Sequence, residues 1–391
     1  MTPVLDLDRE YGLVLEGGGA KGAYQIGAWR ALEEAGVKIK GVAGTSVGAL
    51  NGALICMGDL ERAENLWKNI SYSKVMDVDD ERMAHLFARD LESDMRREVL
   101  RDTLRVLVEG GTDITPLRQL IAENVDEELI RNSPMDFFSC TYSVTDRKEL
   151  NVDMKQVPEG QLGDMLLASS YLPVFKNEKL HGKTYMDGGL TNVLPVNTLL
   201  ERGYQDVILL RIFGVGREKR IEIPEDVRIY EISPRVSLGS TLQFDANKSR
   251  RNMRTGYYDA MRLIYGLEGK IYYIEESREE CYYLKKLLGT EPEILEEILI
   301  RYKLSKEPKR QLRNLLEVIL PLMAEELKLP KSWNYKELYL SMLEATARQF
   351  RVPKYEIYTP GSLLSCIYKR MGGAELPQET PDFMRLILNC G

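Results

Sequence analysis

Two glycine-rich turns, each set between a short apolar run and a helical pattern, stand close together near the start of this chain and leave it few ways to fold. Leu13 to Leu15 lie between Gly12 and Gly17, and Ala23 to Ala35 follow with Tyr24, Ala28, Ala31 and Leu32 at helical spacing. Val42 and Ala43 then enter Gly44-Thr45-Ser46-Val47-Gly48, and Ala49 to Met57 read as a helix of small residues. Strand, turn and helix repeated at once predict an α/β fold with a mainly parallel sheet.

The pattern continues downstream. Residues 60–132 read as a helical insertion, with Thr115-Pro116 placing proline in a first helical turn. Phe137 to Val144 and Glu149 to Met154 read as a strand pair, Leu162 to Ser169 as a helix, and Lys183 to Met186 as a strand running into Asp187-Gly188-Gly189. A short helix at Asn197 to Arg202 precedes a Val/Ile/Leu-rich strand at Asp206 to Ile212, and Tyr230 to Ile232 is expected to close the sheet. A long helical pattern, Leu242 to Tyr265, ends the first part of the chain. From 267 a short strand at Ile271 to Ile274 precedes amphipathic helices broken or kinked near Pro292, Pro308, Pro321, Pro330, Pro353 and Pro360. The expected division is therefore a domain at 1–266 and a mostly helical accessory module at 267–391, within the capacity of a chain of 391 residues.

Gly44-Thr45-Ser46-Val47-Gly48 fits G-x-S-x-G in its strand-to-helix setting. There a serine sits on a sharp turn with its hydroxyl exposed, and the flanking glycines, Gly44 and Gly48, remove side chains that would clash. Upstream, Glu16-Gly17-Gly18-Gly19-Ala20-Lys21-Gly22 offers bare amides to an oxyanion. The same letters fit a dinucleotide fingerprint, which needs a carboxylate at the end of the second strand. Val42-Ala43-Gly44-Thr45 has none, and Lys21 is followed by glycine rather than Ser or Thr, so an oxyanion site ranks above a cofactor loop. The only histidines are His85, in the insertion, and His181, before Asp187; none follows residue 181, so a standard Ser, acid, His triad is hard to build, and both read as surface or packing residues before catalytic ones. A carboxylate held in a dry turn can serve as the base for Ser46 if it hydrogen-bonds the hydroxyl directly, and Asp187, in a glycine turn after a strand, is the best candidate, although D-G-G alone often marks only a turn.

These segments together resemble the patatin-like phospholipase family. Its signatures occur here in order as Gly17 to Gly22, Gly44 to Gly48, Ala168-Ser169-Ser170-Tyr171-Leu172-Pro173 and Asp187 to Gly189, with Asn192 and Pro195 continuing the pattern, and the likeness spans about residues 11–265. The resemblance implies a three-layer α/β/α sandwich, a catalytic pair of Ser46 and Asp187, and an oxyanion hole from Gly17, Gly18 and Gly19. It makes Gly22, Gly44, Gly48, Gly188 and Gly189 supporting motif residues and calls for no metal and no cofactor. Glu16 stands where many members have aspartate, a departure expected to be minor because backbone amides do the stabilising. Ser169 and Ser170 are expected to support the site wall rather than react, and Tyr257 and Asp259 match a family helix without an assignable chemical role.

The activity expected is a serine lipid acyl hydrolase acting on phospholipids or related lipids; the alternatives are a lipid acyltransferase and a noncatalytic lipid-binding regulatory protein. Its partners would be a lipid substrate and, transiently, a membrane surface. A net charge of −7 disfavours nucleic acid. Lys248, Arg250, Arg251 and Arg254 could meet anionic headgroups, but a solvated helix face is the preferred reading. Five scattered cysteines without C-x-x-C spacing argue against disulfides or zinc. Met1 to Glu10 lacks the basic start and apolar stretch of a secretory signal, and no run reaches spanning length, so a cytoplasmic protein with membrane contact at most peripheral is expected.

Overall fold

The computed structural model describes residues 1–87, 111–172, 175–176, 178–373 and 376–390. It divides into two compact units, one covering Thr2–Ile264 and the other running from Tyr265 onward. Part of the expected insertion, residues 88–110, and Pro173 of the third signature lie outside the described residues.

In the first unit β1 (Glu10–Leu15), α1 (Ala23–Glu34), β2 (Lys38–Thr45) and α2 (Val47–Met57) form the expected double strand–turn–helix. Helices α3 (Leu60–Lys68), α4 (Asp80–Phe87), α5 (Thr115–Asn124) and α6 (Glu127–Asn132) precede β3 (Asp136–Ser143) and β4 (Lys148–Asp153). Then come α7 (Leu162–Ser169), β5 (Tyr185–Asp187), α8 (Val196–Leu200), β6 (Asp206–Leu210), β7 (Arg228–Ile232) and α9 (Ala246–Tyr265).

The strands make one sheet ordered β4-β3-β2-β1-β6-β7, with β5 paired to β3. Pairings among β3, β2, β1, β6 and β7 are parallel, while β4 and β5 run antiparallel to β3. Burial on both faces explains the unbroken apolar character of β1 and β6. Val14, Ala43, Phe138 and Leu209 pack with Val196 and Leu199 of α8 on one face. On the other, Val42 and Phe137 approach Gly52 of α2 so closely that a Cβ there would lie 3.1 and 2.8 Å from them. Sheet and flanking helices therefore form the three layers expected.

The second unit contains a parallel pair, β8 (Tyr273–Ile274) and β9 (Ile357–Tyr358). Its helices are α10 (Glu280–Leu288), α11 (Pro292–Arg301), α12 (Pro308–Asn314), α13 (Leu320–Glu326), α14 (Tyr335–Gln349), α15 (Pro360–Met371) and α16 (Asp382–Leu388). Pro292, Pro308 and Pro360 begin helices rather than break them, because the first turn needs no amide there. A π-helical turn at Leu315–Ile319 carries the chain into α13. Regular α-helical bonding is thus interrupted just before Pro321, where a break or kink was expected, and the chain stays helical on both sides of it. No described helix is long and apolar enough to cross a membrane.

Candidate active site

Parallel strands end together, and the loops leaving those ends share one rim of the sheet. Leu15 of β1 is level with Gly44 of β2 and Leu210 of β6, so the Glu16–Gly22 loop, the Ser46 turn and the segment after Leu210 begin side by side. Asp187 arrives by a different route. β4 occupies one edge of β3 along Phe138–Ser143, and β2 occupies the other as far as Cys140↔Thr45. β5 takes up that second edge at Thr141↔Asp187, so Asp187 lies in line with the end of β2, where Ser46 stands.

Ser46 has φ 54° and ψ −125°, a region that residues with side chains rarely occupy, and it heads α2. Two glycines make this sharp elbow possible. A Cβ on Gly44 would lie 2.3 Å from the Gly48 carbonyl, and one on Gly48 would lie 2.2 Å from the Leu15 oxygen. The Ser46 amide donates to Ser169 Oγ at 2.9 Å, and that hydroxyl donates to the Cys140 carbonyl at 2.5 Å. Ser169 is thus fully engaged in holding the elbow.

Ser46 and Asp187 are only 6% and 7% exposed. Burial pushes the Asp187 carboxyl up to about 6, against the opposing pull of the Ser46 hydroxyl and the Gly189 amide. The amide donates to Oδ1 at 2.7 Å, whereas Oδ2 is buried without a hydrogen-bond partner. Ser46 is thus near enough to influence the carboxylate, yet no hydrogen bond of ordinary geometry joins the two side chains.

The Gly17 amide donates to Val193 O at 2.9 Å, so the loop offers fewer open donors than the three expected. Among the described residues the amides of Gly18 and Gly19 have no acceptor. Thr45 Oγ1 donates to Asn192 O at 2.9 Å, which ties the segment after Asp187 to the elbow as well as to the loop. Asn51 supports both ends of this arrangement: its amide nitrogen reaches Gly22 O at 3.0 Å and Gln25 Oε1 at 2.8 Å, and Gln25 reaches Glu16 O at 2.8 Å. Trp67 donates to Asn51 Oδ1 at 2.9 Å. Sequence reasoning missed Asn51 and Gln25, whose only trace was their place on the buried faces of α2 and α1.

Ser46, Gly19 and Ser170 line a pocket walled mainly by apolar side chains including Leu54, Trp67, Ile70, Leu117 and Phe244. His85 lies on α4. His181 is exposed and its Nε2 is 2.9 Å from Asp164 Oδ2, an engagement outside the Ser46–Asp187 arrangement. Of the basic group on α9, Arg250 meets Asn247 and Lys68 O while Arg251 meets Ser237 O, so both hold local structure. Tyr257 donates to Glu34 at 2.8 Å, and Tyr24 donates to Asp259 at 3.0 Å; both contacts join α1 to α9.

Fold and site define an α/β protein with a serine on a strained strand-to-helix elbow beside a buried carboxylate. Residues 13–200 match the patatin-like phospholipase family model, and the chain carries a domain of that family. It is 61% identical over 46 residues to lysophospholipase nte1 of Aspergillus terreus, covering 12% of this chain and 3% of that protein. To patatin-like phospholipase domain-containing protein 7 of Rattus norvegicus it is 29% identical over 204 residues, 51% of this chain and 13% of that one. The chain thus spans a small fraction of these relatives' lengths. Among solved structures, VipD from Legionella pneumophila aligns with 97% of this chain and 90% of its own at 12% identity and a TM-score of 0.41.

Proposed function

We propose that this protein is a serine lipid acyl hydrolase that cleaves acyl esters of phospholipids or related lipids with Ser46 as nucleophile and Asp187 as base. The observation that carries the reading is the meeting of three features at one place: a strained serine, a buried carboxylate with an unpartnered oxygen, and an apolar cavity that the serine lines. Asp187 accepts the Ser46 proton as Oγ attacks the ester carbonyl, and the Gly18 and Gly19 amides receive the resulting oxyanion. Collapse breaks the ester C–O bond, and the proton on Asp187 passes to the departing alkoxide, leaving an acyl-serine. Water then gives a proton to Asp187 and its oxygen to the acyl carbon; the tetrahedral adduct expels Ser46 as its proton returns, releasing the fatty acid.

The cavity suits the apolar chain of such an acyl group. The part from 267 onward supplies none of these groups and is assigned an accessory role, with the catalytic domain at 1–266. The names of the matched relatives, a lysophospholipase and a phospholipase-domain protein, agree with this substrate class. Mass spectrometry of products from mixed bilayer lipids, with and without added acceptor alcohols, tests it. Free fatty acid plus lysolipid from wild type and neither from Ser46→Ala is the expected result; acyl transfer in place of hydrolysis, or unchanged products from Ser46→Ala, would refute it.

A further inference from the structure

Glu16, the residue before the glycine loop, is only 2% exposed, and its carboxylate is engaged by the chain that leaves β6. Oε2 accepts the Ile212 amide at 2.6 Å and the Phe213 amide at 2.9 Å, and Oε1 accepts the Gly214 amide at 3.3 Å. Arg211 Nε lies 3.8 Å from Oε2. From the far end of the same loop, Lys21 donates its ammonium to the Phe213 carbonyl. Phe213 is held at φ 49°, a left-handed conformation that a phenylalanine adopts only under constraint.

The turn gathered by this carboxylate is pressed against the glycine loop. A Cβ on Gly214 would lie 1.8 Å from the Gly17 oxygen, and one on Gly18 would lie 2.7 Å from the Ile212 δ-methyl. The loop's outer side therefore rests on residues 212 and 214. Beyond the turn, Arg217 N donates to Gly189 O and Val193 N donates to Arg217 O, both at 2.8 Å, so the same segment is fastened to the chain around Asp187. The Glu16 side chain, expected to matter little, is where these ties converge.

We propose that Glu16 is a positioning residue: its carboxylate fixes residues 212–214 against Gly17 and Gly18 and so holds the Gly18 and Gly19 amides toward the oxyanion formed at Ser46. The proposal rests on the hydrolase reading above. Its test is steady-state kinetics on a soluble short-chain ester, with fluorophosphonate labelling of Ser46 and thermal melting, for wild type, Glu16→Gln, Glu16→Asp and Gly214→Ala. Glu16→Gln loses one acceptor oxygen and the charge; kcat and the labelling rate are expected to fall about 10²-fold with KM little changed, as for a small misplacement of reacting groups. Glu16→Asp, which keeps both acceptor oxygens, is expected to recover most of that loss. Gly214→Ala disturbs the same contact without touching the carboxylate and should reproduce the kcat loss.

Wild-type kcat in folded Glu16→Gln, or a loss borne by KM alone, overturns the proposal. If Glu16→Gln does not fold, Gly214→Ala decides, and wild-type kcat there overturns it equally. An inert wild type that takes no label at Ser46 overturns the hydrolase reading and this proposal with it. An active wild type matched by Glu16→Gln overturns this proposal alone.

Discussion

At the scale of single residues, Asp187 carries two opposed consequences of one burial. A carboxyl raised to about 6 is protonated below that pH and cannot take the Ser46 proton, so kcat/KM on an uncharged ester should fall on an acid limb near pH 6. A limb near pH 4, where an exposed carboxyl titrates, would contradict the assignment. The same shift makes the ionised form a cost to folding: stability from this group is greatest in acid and is lost as pH rises through its folded value. From the ordinary 3.8 to about 6 the difference amounts to on the order of 3 kcal/mol. Asp187→Asn should therefore be nearly inactive yet melt higher than wild type at pH 8, with a smaller gap at pH 4; differential scanning calorimetry at both values checks the sign. His181→Ala should keep most of the activity in the same assay, since its ring engages Asp164.

Among elements, the elbow between β2 and α2 depends on supports that are distant in sequence. Gly48→Ala drives a Cβ toward the Leu15 oxygen and should destabilise the protein by about 1–3 kcal/mol, measurable by urea unfolding. Ser169→Ala leaves the Ser46 amide without its acceptor, and the expected loss is about 1–3 kcal/mol with a slower reaction at Ser46 toward fluorophosphonate; an unchanged labelling rate would reduce Ser169 to packing. The glycine signatures and the apolar strands were legible because tight turns and doubly buried strands restrict residue type locally. The turn that carries Ser46, the turn that carries Asp187 and the order of elements in the first unit could be read for that reason. The commitment of the Gly17 amide to Val193, the Asn51–Gln25 chain and the grip of Glu16 on residues 212–214 were not legible. Each joins partners chosen by the fold rather than by spacing along the chain. Near Pro321 the position of the irregularity was legible but not its form, a π-turn over the five residues Leu315–Ile319.

Across the whole molecule, the second unit spends its apolar stripes on itself. Leu315, Ile319, Leu320 and Met323 share a core with Leu338, Met342, Leu343, Ile367 and Leu386. Leu343→Ala should cost about 2–5 kcal/mol there while leaving the rate of Ser46 labelling near wild type; a matched loss of labelling in folded protein would show that this unit does more than its accessory assignment allows. The sheet of the first unit has an order that matters before the protein is finished. β1, the earliest strand, ends up between β2 and β6, and its partner on the second side begins only at Asp206. On the ribosome, a nascent chain that has emerged through β4 can assemble β4-β3-β2-β1 but must leave the apolar edge of β1 open. That edge invites pairing with another chain until some sixty further residues, about 3–12 seconds of translation, bring β6 out to close it. Truncation just before residue 206 should therefore yield an aggregating fragment, and slow decoding between β4 and β6 should prolong the interval in which a chaperone is needed.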